Sequence, residues 1–301
     1  MILTVTLNPA VDHTVTVDEA FTPDTVHRAG SARYDAGGKG INVSKYLVEL
    51  GRETVATGVL GGFLGEFVRE RLAADGIPQD FVDIDGLTRL NTTVLGEEEY
   101  KVNQNGPTVG VEAIDAVIET IEHHEPELVV VAGSLPPGLT TDAIDAISRA
   151  GDWQTVVDVG GATLQSLDAN YALCKPNRAE LAAATEMPVG TVDECAAAAE
   201  AFREEGFETV VASLGSDGAV LASSDGTYHA PALDVDVVDT VGAGDALLSG
   251  VLAALDRGVS PRQALGEGVA VASKVVAVAG TSIPSLADLP TDAEHVSVTV
   301  H

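Results

Sequence analysis

Short apolar runs alternate with amphipathic stretches along most of this chain. The apolar runs are rich in β-branched residues, which is typical of strands covered on both faces. They occupy residues 2–7, 54–59, 128–131 and 209–212. Stretches with helical composition and spacing lie between them, as at residues 63–74, 111–123 and 195–205. This alternation predicts an α/β fold with a mostly parallel central sheet and helices on both faces.

Two regions break this rhythm with short alternating strands that have no helix between them. They are residues 13–17 with 25–34, and residues 92–95 with 100–102. They predict a small β-sheet that serves as a lid, with strands from residues 12–35 and 91–105. No internal repeat or linker interrupts the sequence, so we expect a single domain over residues 1–301.

Charge and hydropathy limit the partners of the chain. It has 16 Lys and Arg against 46 Asp and Glu, a formal net charge of -30, and such a field repels nucleic acid and anionic membranes. The apolar runs are too short to cross a bilayer, and the first residues lack the charged start of a signal peptide. We therefore expect a cytoplasmic protein that binds neither nucleic acid nor a membrane.

Cys174 and Cys195 lack metal-ligand spacing and read as reduced core thiols.

The acidic residues are spread along the chain, and lysine occurs only at positions 39, 45, 101, 175 and 274. This pattern predicts a halophilic protein, because concentrated cations screen the self-repulsion of such a surface. An ordinary acidic enzyme is the alternative.

Small residues lead into a predicted helix at residues 239–252. Unpaired backbone N–H groups at a helix start and the helix dipole favour a bound anion, so Gly242, Ala243 and Gly244 could form an anion hole. Asp245 would then lie beside a bound phosphate, where a carboxylate can take the proton of an attacking hydroxyl. A tight turn followed by an acidic first-turn residue, which stabilises any helix, is the alternative.

A second glycine cluster adds a cation. Gly37 and Gly38 allow close approach of the backbone to a sugar, and Lys39 can supply a charge to a phosphate. A surface turn with a solvated lysine is the alternative reading. Neither the Gly-x-x-x-x-Gly-Lys-Ser/Thr motif nor the dinucleotide fingerprint occurs, which disfavours P-loop enzymes and dehydrogenases.

Asn177 and Glu180 have the spacing of a capping box, which most often marks only a helix start. The functional alternative is that both face a metal-bound triphosphate and hold Mg²⁺ through its waters, with Lys175 near the phosphates. Residues 213–218 could likewise cover a nucleotide or form a plain hairpin turn.

Other candidates follow predicted strands or lie near the lid. Asp12 and residues 133–138 stand where parallel strands open onto a ligand crevice. Arg28, Arg33 and Arg89 are candidates for a phosphate clamp, against the alternative of ordinary surface arginines.

Six segments in this order resemble the ribokinase-like (PfkB) family of carbohydrate kinases, and within it the branch of 1-phosphofructokinases and tagatose-6-phosphate kinases. The segments are residues 6–12, 37–44, 56–62, 133–138, 175–180 and 239–245. The resemblance implies an α/β core with a β-sheet lid that offers a homodimer interface. It also implies a reaction in which ATP and Mg²⁺ serve to phosphorylate a hydroxyl of a phosphorylated ketohexose.

The resemblance also assigns roles. Asp245 becomes the general base, with Gly242, Ala243 and Gly244 as the anion hole. The nucleotide side comprises Lys175, Asn177, Glu180, Ser213, Gly215, Gly218 and Thr240, with Asn177 and Glu180 holding Mg²⁺ through water. The substrate side comprises Asp12, Gly37, Gly38, Asn42 and Ser134, with Lys39, Arg28 and Arg89 on the phosphate that the substrate already carries. Two positions depart from the branch: Asp35 and Ala36 stand where it usually has a proline, and Ala132 replaces a usual serine.

These assignments predict phosphorylation of fructose 1-phosphate to fructose 1,6-bisphosphate. Fructose-6-phosphate kinase and tagatose-6-phosphate kinase are alternatives, because a Lys/Arg clamp recognises the phosphate more readily than the carbon that bears it. A non-catalytic sugar-phosphate sensor is a third, although a sensor would not need both the Gly-Ala-Gly-Asp and the Asn-x-x-Glu motif.

Overall fold

Strands and helices alternate along the chain as the sequence predicts. The structure is a computed structural model that describes residues 1–18, 20, 22–278, 283–286 and 296–301. In chain order, strands β1 to β14 are Ile2–Thr6, Ala10–Thr16, Ser31–Gly37, Thr54–Leu60, Val82–Asp83, Arg89–Leu95, Glu99–Asn103, Leu128–Ala132, Gln154–Asp158, Tyr171–Cys174, Phe207–Ser213, Ala219–Ser223, Gly226–Ala230 and Thr299–Val300. Helices α1 to α9 are Lys39–Glu49, Gly62–Ala74, Glu112–His124, Asp142–Arg149, Gly161–Gln165, Arg178–Thr185, Val192–Arg203, Ala243–Asp256 and Pro261–Val276.

The larger sheet of the described chain has ten strands in the order β14-β13-β12-β11-β10-β9-β8-β1-β4-β5. Neighbours from β5 to β11 pair in parallel, and β11 to β14 pair antiparallel at one edge. The predicted mostly parallel central sheet is therefore confirmed. Because the carboxyl ends of parallel strands meet at one edge, residues that follow several of these strands are brought together there.

Both faces of this sheet are buried, which explains the continuous apolar runs. On β8, Val129 and Val131 belong to one core cluster, while the alternating Val130 belongs to another. Helices α3 to α7 contribute to the first cluster, and α1, α8 and α9 contribute to the second. The helices therefore cover both apolar faces of the strands. They also include α1 and α8, which lie side by side and follow the two glycine-rich segments.

The smaller sheet has four strands in the order β3-β2-β6-β7. Its β2–β3 pair runs from Ala10 opposite Gly37, next to the core, to Thr16 opposite Ser31 at the far end. The strand predicted at residues 25–34 begins only at Ser31, so its first six residues, 25–30, are not part of the strand. Residues 19 and 21 of the predicted lid lie outside the described residues. The division into a single domain with a lid stays a prediction.

Both cysteines are buried and unpaired, Cys174 in β10 and Cys195 in α7, as expected for core thiols. Burial is the main cause that raises the pKa of each thiol. Among the described residues, no helix has the length and apolar character needed to cross a membrane.

Candidate active site

Asp245 lies in the first turn of α8 and is 6% exposed. The helix begins at Ala243, and its N-cap Gly242 has a left-handed φ of 79°, which glycine adopts without strain. The first-turn N–H groups of a helix have no acceptor four residues earlier, so this end is suited to an anion. The Nδ2 of Asn42 on α1 donates to Oδ2 of Asp245 at 2.8 Å, which fixes the orientation of the carboxylate.

A buried group of charges lies beside this carboxylate. Asp158, the last residue of β9, is fully buried, and its Oδ1 accepts from Lys39 Nζ at 2.8 Å. Lys175 Nζ lies 3.4 Å from the other oxygen of Asp158. A Cβ atom on Gly244 would lie 3.2 Å from Lys175 Nζ, so this ammonium borders the predicted anion hole. Two cations and two carboxylates are therefore concentrated at the start of α8.

This environment raises the pKa of Asp245 from 3.8 to about 6. Burial is the largest cause and the negative charge of Asp158 adds to it, while the Asn42 hydrogen bond, Lys39 and Lys175 oppose it. Burial alone would lower the pKa of Lys39, but the Asp158 carboxylate raises it on balance. A carboxylate with a pKa near neutrality can both accept and release a proton, as a general base must.

A cavity of about 730 Å³ adjoins the start of α8. Its wall contains Asn177, Ser213, Gly215, Gly218, Thr240 and Gly244. Apolar side chains such as Leu247, Val269 and Val276 line it as well, which suits a flat heterocyclic ring. Residues 213–218 thus combine the two readings of the sequence, because the hairpin turn between β11 and β12 is also part of the cavity wall.

The capping box at the start of α6 is present. Asn177 Oδ1 accepts from the Glu180 N–H at 2.9 Å, and Glu180 Oε2 accepts from the Asn177 N–H at 2.8 Å.

Within the described ranges, no group of three or more His, Cys, Asp and Glu side chains could hold a metal ion. The capping box uses only one oxygen of Glu180. Oxygen donors of this kind fit Mg²⁺ held through water and substrate phosphates, the usual mode for this ion.

The lid contributes a second set of polar contacts. Asn91 on β6 donates through Nδ2 to Asp12 Oδ1 at 3.0 Å. Arg89, also on β6, donates to the carbonyl oxygens of Asn8 at 3.2 Å and Gln104 at 3.1 Å. Asn8 Nδ2 in turn donates to Ser134 Oγ at 3.1 Å, just past β8. Arg89 of the lid is therefore linked to Ser134 of the core through Asn8, and Asp12 is held within the lid by Asn91; neither asparagine is among the residues to which the sequence assigns a role.

Two of the candidate arginines are not brought to this edge. Arg28 is exposed and precedes Ser31, so it lies beyond the far end of the β2–β3 pair, away from Gly37. Arg33 is paired with Asp35, with Nε 2.6 Å from Oδ2. Of the three arginines, Arg89 alone lies among the polar contacts described above.

The chain is similar to known carbohydrate kinases in sequence and in fold. The model of the pfkB family carbohydrate kinases matches residues 5–288. A 1-phosphofructokinase of Haloferax volcanii is 54% identical over 300 residues, covering 99% of this chain and 98% of the relative. A tagatose-6-phosphate kinase of Staphylococcus epidermidis is 34% identical over 269 residues, covering 85% of each chain. The crystal structure of phosphofructokinase-2 from Escherichia coli has a TM-score of 0.90 at 27% identity, covering 98% of both chains.

These likenesses confirm the expected ribokinase-like α/β fold. The Haloferax relative also agrees with the halophilic character predicted from the acidic composition.

Proposed function

This chain belongs to the pfkB family of carbohydrate kinases, and we propose that it transfers the γ-phosphoryl group of ATP to the 6-hydroxyl of fructose 1-phosphate. The observation that carries the proposal is the buried Asp245 carboxylate at the start of α8, oriented by Asn42 and flanked by Lys39 and Lys175. Identity of 54% with a 1-phosphofructokinase along nearly the whole chain supports this choice of substrate.

Asp245 acts as the general base in this proposal. The Asn42 hydrogen bond occupies Oδ2, so Oδ1 is the oxygen that accepts the proton of the substrate hydroxyl. Asn42 thereby orients the base, and it is also a proposed contact of the sugar. The hydroxyl oxygen attacks the γ-phosphorus as its proton leaves, and the bond to the β-phosphate oxygen breaks, releasing ADP.

The transferring phosphoryl group is stabilised by the anion hole of Gly242, Ala243 and Gly244 and by two ammonium groups. Lys175 borders Gly244. The resemblance assigns Lys39 to the phosphate that the substrate already carries; because Lys39 pairs with Asp158 and its charge acts on Asp245, we propose that it acts at the reacting phosphoryl group instead. Mg²⁺, held through water by Asn177 and Glu180, would neutralise charge on the nucleotide phosphates. The cavity lined by Ser213, Gly215, Gly218 and Thr240 would take the nucleoside.

On the sugar side, Asp12, Gly38 and Asn42 are the proposed partners of the ring hydroxyls, with Gly37 allowing the approach. Arg89 and Ser134, joined through Asn8, are proposed to hold the phosphate that the substrate already carries. Arg28 could hold the substrate phosphate only in an assembly in which the lid of a second copy of the chain lies near the site. A homodimer through the lid remains part of the proposal.

An ADP-release assay in molar KCl tests the substrate. We expect the highest kcat/KM with fructose 1-phosphate, lower values with fructose 6-phosphate and tagatose 6-phosphate, and little release with unphosphorylated fructose. A higher value with either 6-phosphate would transfer the assignment to that substrate. No release with any sugar would contradict the proposed kinase activity.

The pH dependence of kcat/KM tests the electrostatics of the base. Activity should fall as pH drops below about 6, because Asp245 then becomes protonated. Replacing Asp158 with asparagine removes a negative neighbour, lowers the pKa of Asp245 and moves the acid limb of the profile to lower pH. The substrate phosphate also titrates near pH ~6, but its pKa is the same in both enzymes, so the shift reports on the protein. An unmoved limb in Asp158→Asn would show that Asp158 does not act on the base.

A further inference from the structure

Lys45 is a buried lysine that the proposed mechanism does not use. It is 6% exposed, in a chain with only five lysines, and it lies on α1 one turn beyond Asn42. Burying an ammonium group costs free energy unless hydrogen bonds and opposite charges compensate it. Burial accordingly lowers the pKa of Lys45, while Asp35, Asp75 and Asp12 oppose that shift.

The ammonium of Lys45 is bonded to the lid. Its Nζ donates to the carbonyl oxygen of Ala36 at 2.6 Å. Ala36 is on β3, an edge strand of the smaller sheet, so the lysine gives this buried carbonyl group a donor. Gly37, the next residue, ends the strand and lies against the carboxylate of Asp12. The bond therefore ties α1 to the strand end that borders the sugar side of the site.

Two carboxylates lie opposite each other on this part of the lid. The register pairs Asp12 on β2 with Asp35 on β3, so both side chains are on the same face of the sheet, where like charges repel. Asp35 is 8% exposed, and Arg33 compensates part of its charge. Burial raises the pKa of Asp12 and Asp35 adds to this, whereas the Asn91 hydrogen bond and the charges of Lys45 and Arg89 oppose it.

Three elements besides β2 and α1 supply the charged groups around Asp12 and Lys45. Those acting on Asp12 are Lys45 of α1, Arg89 of β6 and Asp35 of β3. Those acting on Lys45 are Asp12 and Asp35 of the lid, Arg71 of α2 and Asp75, the C-cap of α2.

We infer that Lys45 is a positioning residue for the sugar phosphate: it fixes the end of β3 at Ala36 and Gly37, and it supplies a positive charge to the carboxylates of Asp12 and Asp35, which lie opposite each other. This inference rests on the proposed function, because Asp12 is a proposed partner of the substrate hydroxyls.

Lys45→Met tests the inference. The variant should raise KM for the ketose phosphate about tenfold, because a buried bond from a charged donor and a counter-charge are lost together. KM for ATP should not change. The pKa of the Asp12 carboxyl group, followed by carbon-13 NMR titration, should rise, because a positive neighbour is removed. Lys101→Met, on the exposed lid strand β7 where Lys101 pairs with Glu99, is the matched control and should behave as wild type.

Asp35→Asn separates charge from packing. It leaves Lys45 in place and removes a negative neighbour of Asp12, so the pKa of Asp12 should fall. The double variant Asp35→Asn/Lys45→Met should return the pKa of Asp12 towards its wild-type value while KM stays raised, because the Ala36 bond is still missing. Wild-type KM and an unchanged pKa of Asp12 in Lys45→Met overturn the inference, as does an equal rise in KM for ATP. If Lys45→Met does not fold, the pKa of Asp12 in Asp35→Asn decides alone, and no change overturns the inference.

Failure of the inference is distinguishable from failure of the proposed function. If the wild-type protein phosphorylates no ketose phosphate, the proposed function fails. The inference is then decided without substrate, by carbon-13 NMR titration of the Asp12 carboxyl group, identified by its absence in Asp12→Asn. A higher pKa of Asp12 in Lys45→Met than in wild type supports the inference, and an equal pKa overturns it.

Discussion

Replacing Asp245 with asparagine is expected to lower kcat by a factor of about 10² to 10⁴ and to leave KM for ATP nearly unchanged. Asparagine keeps the shape of the side chain and an oxygen that can accept from Asn42 Nδ2, but it cannot take a proton from the attacking hydroxyl. The nucleotide cavity is lined by other residues, so ATP binding should persist. Steady-state kinetics and calorimetric titration with ATP measure the two quantities, and near-normal turnover would remove Asp245 from its role.

The same variant should not be less stable than the wild-type protein. The pKa of Asp245 in the folded protein, about 6, is above its ordinary value of 3.8, so ionisation of this buried group costs folding free energy as pH rises. Asparagine avoids this cost, and Asp245→Asn should gain up to about 3 kcal/mol of unfolding free energy above pH ~6. The gain should vanish below pH ~4, where the carboxyl group is neutral in both states.

Asp256→Asn is the matched control for this experiment. It makes the same substitution at the other end of α8, where Asp256 pairs with Arg52. Its kcat should equal that of the wild type. A comparable loss of turnover in this control would show that any change of charge on α8 disturbs catalysis, and would remove the specific argument for Asp245.

Local sequence patterns predicted much of the fold, because strand burial and helix capping leave their mark on residues that are close together in the chain. Residues 129–131 are all valine, since both faces of β8 are buried, and Asn177 with Glu180 closes a capping box within four residues. At that helix start the pair caps α6, and Asn177 also borders the cavity proposed for the nucleotide, so the capping role does not exclude the proposed one. The same applies to the hairpin turn at Gly215 and Gly218.

What the sequence did not reveal are partners that only the fold brings together. Asp158 is separated by 119 residues from Lys39, which it binds, and its only local mark is an acidic residue at the end of an apolar strand. Asn91 reaches Asp12 across 79 residues and lies in a strand that reads as ordinary lid. Such pairs depend on strand order and register. An acidic residue that ends a predicted parallel strand, as Asp158 does, is the signal that could have identified the first of them.

Replacing Gly37 with alanine is expected to lower kcat/KM for the ketose phosphate by a factor of about 10², mainly through KM. A Cβ atom at this position would lie 2.0 Å from Oδ2 and 2.6 Å from Cγ of Asp12, so either the carboxylate or the end of β3 must move. Asp12 has limited room, because Asn91 holds its other oxygen. Displacement of about 1 Å in a positioning group is enough for a loss of this size.

The specificity of this effect distinguishes a lost sugar contact from general damage. KM for ATP should be unchanged in Gly37→Ala, because residue 37 is not part of the nucleotide cavity wall. Gly160→Ala is the matched control, since a Cβ atom there meets no atom within 4 Å and its φ of -61° suits alanine. Asp12→Asn/Gly37→Ala completes the test: if the methyl group acts only by displacing Asp12, the double variant should be no worse than Asp12→Asn. Additive losses would mean that Gly37 acts on the substrate directly, through its own backbone.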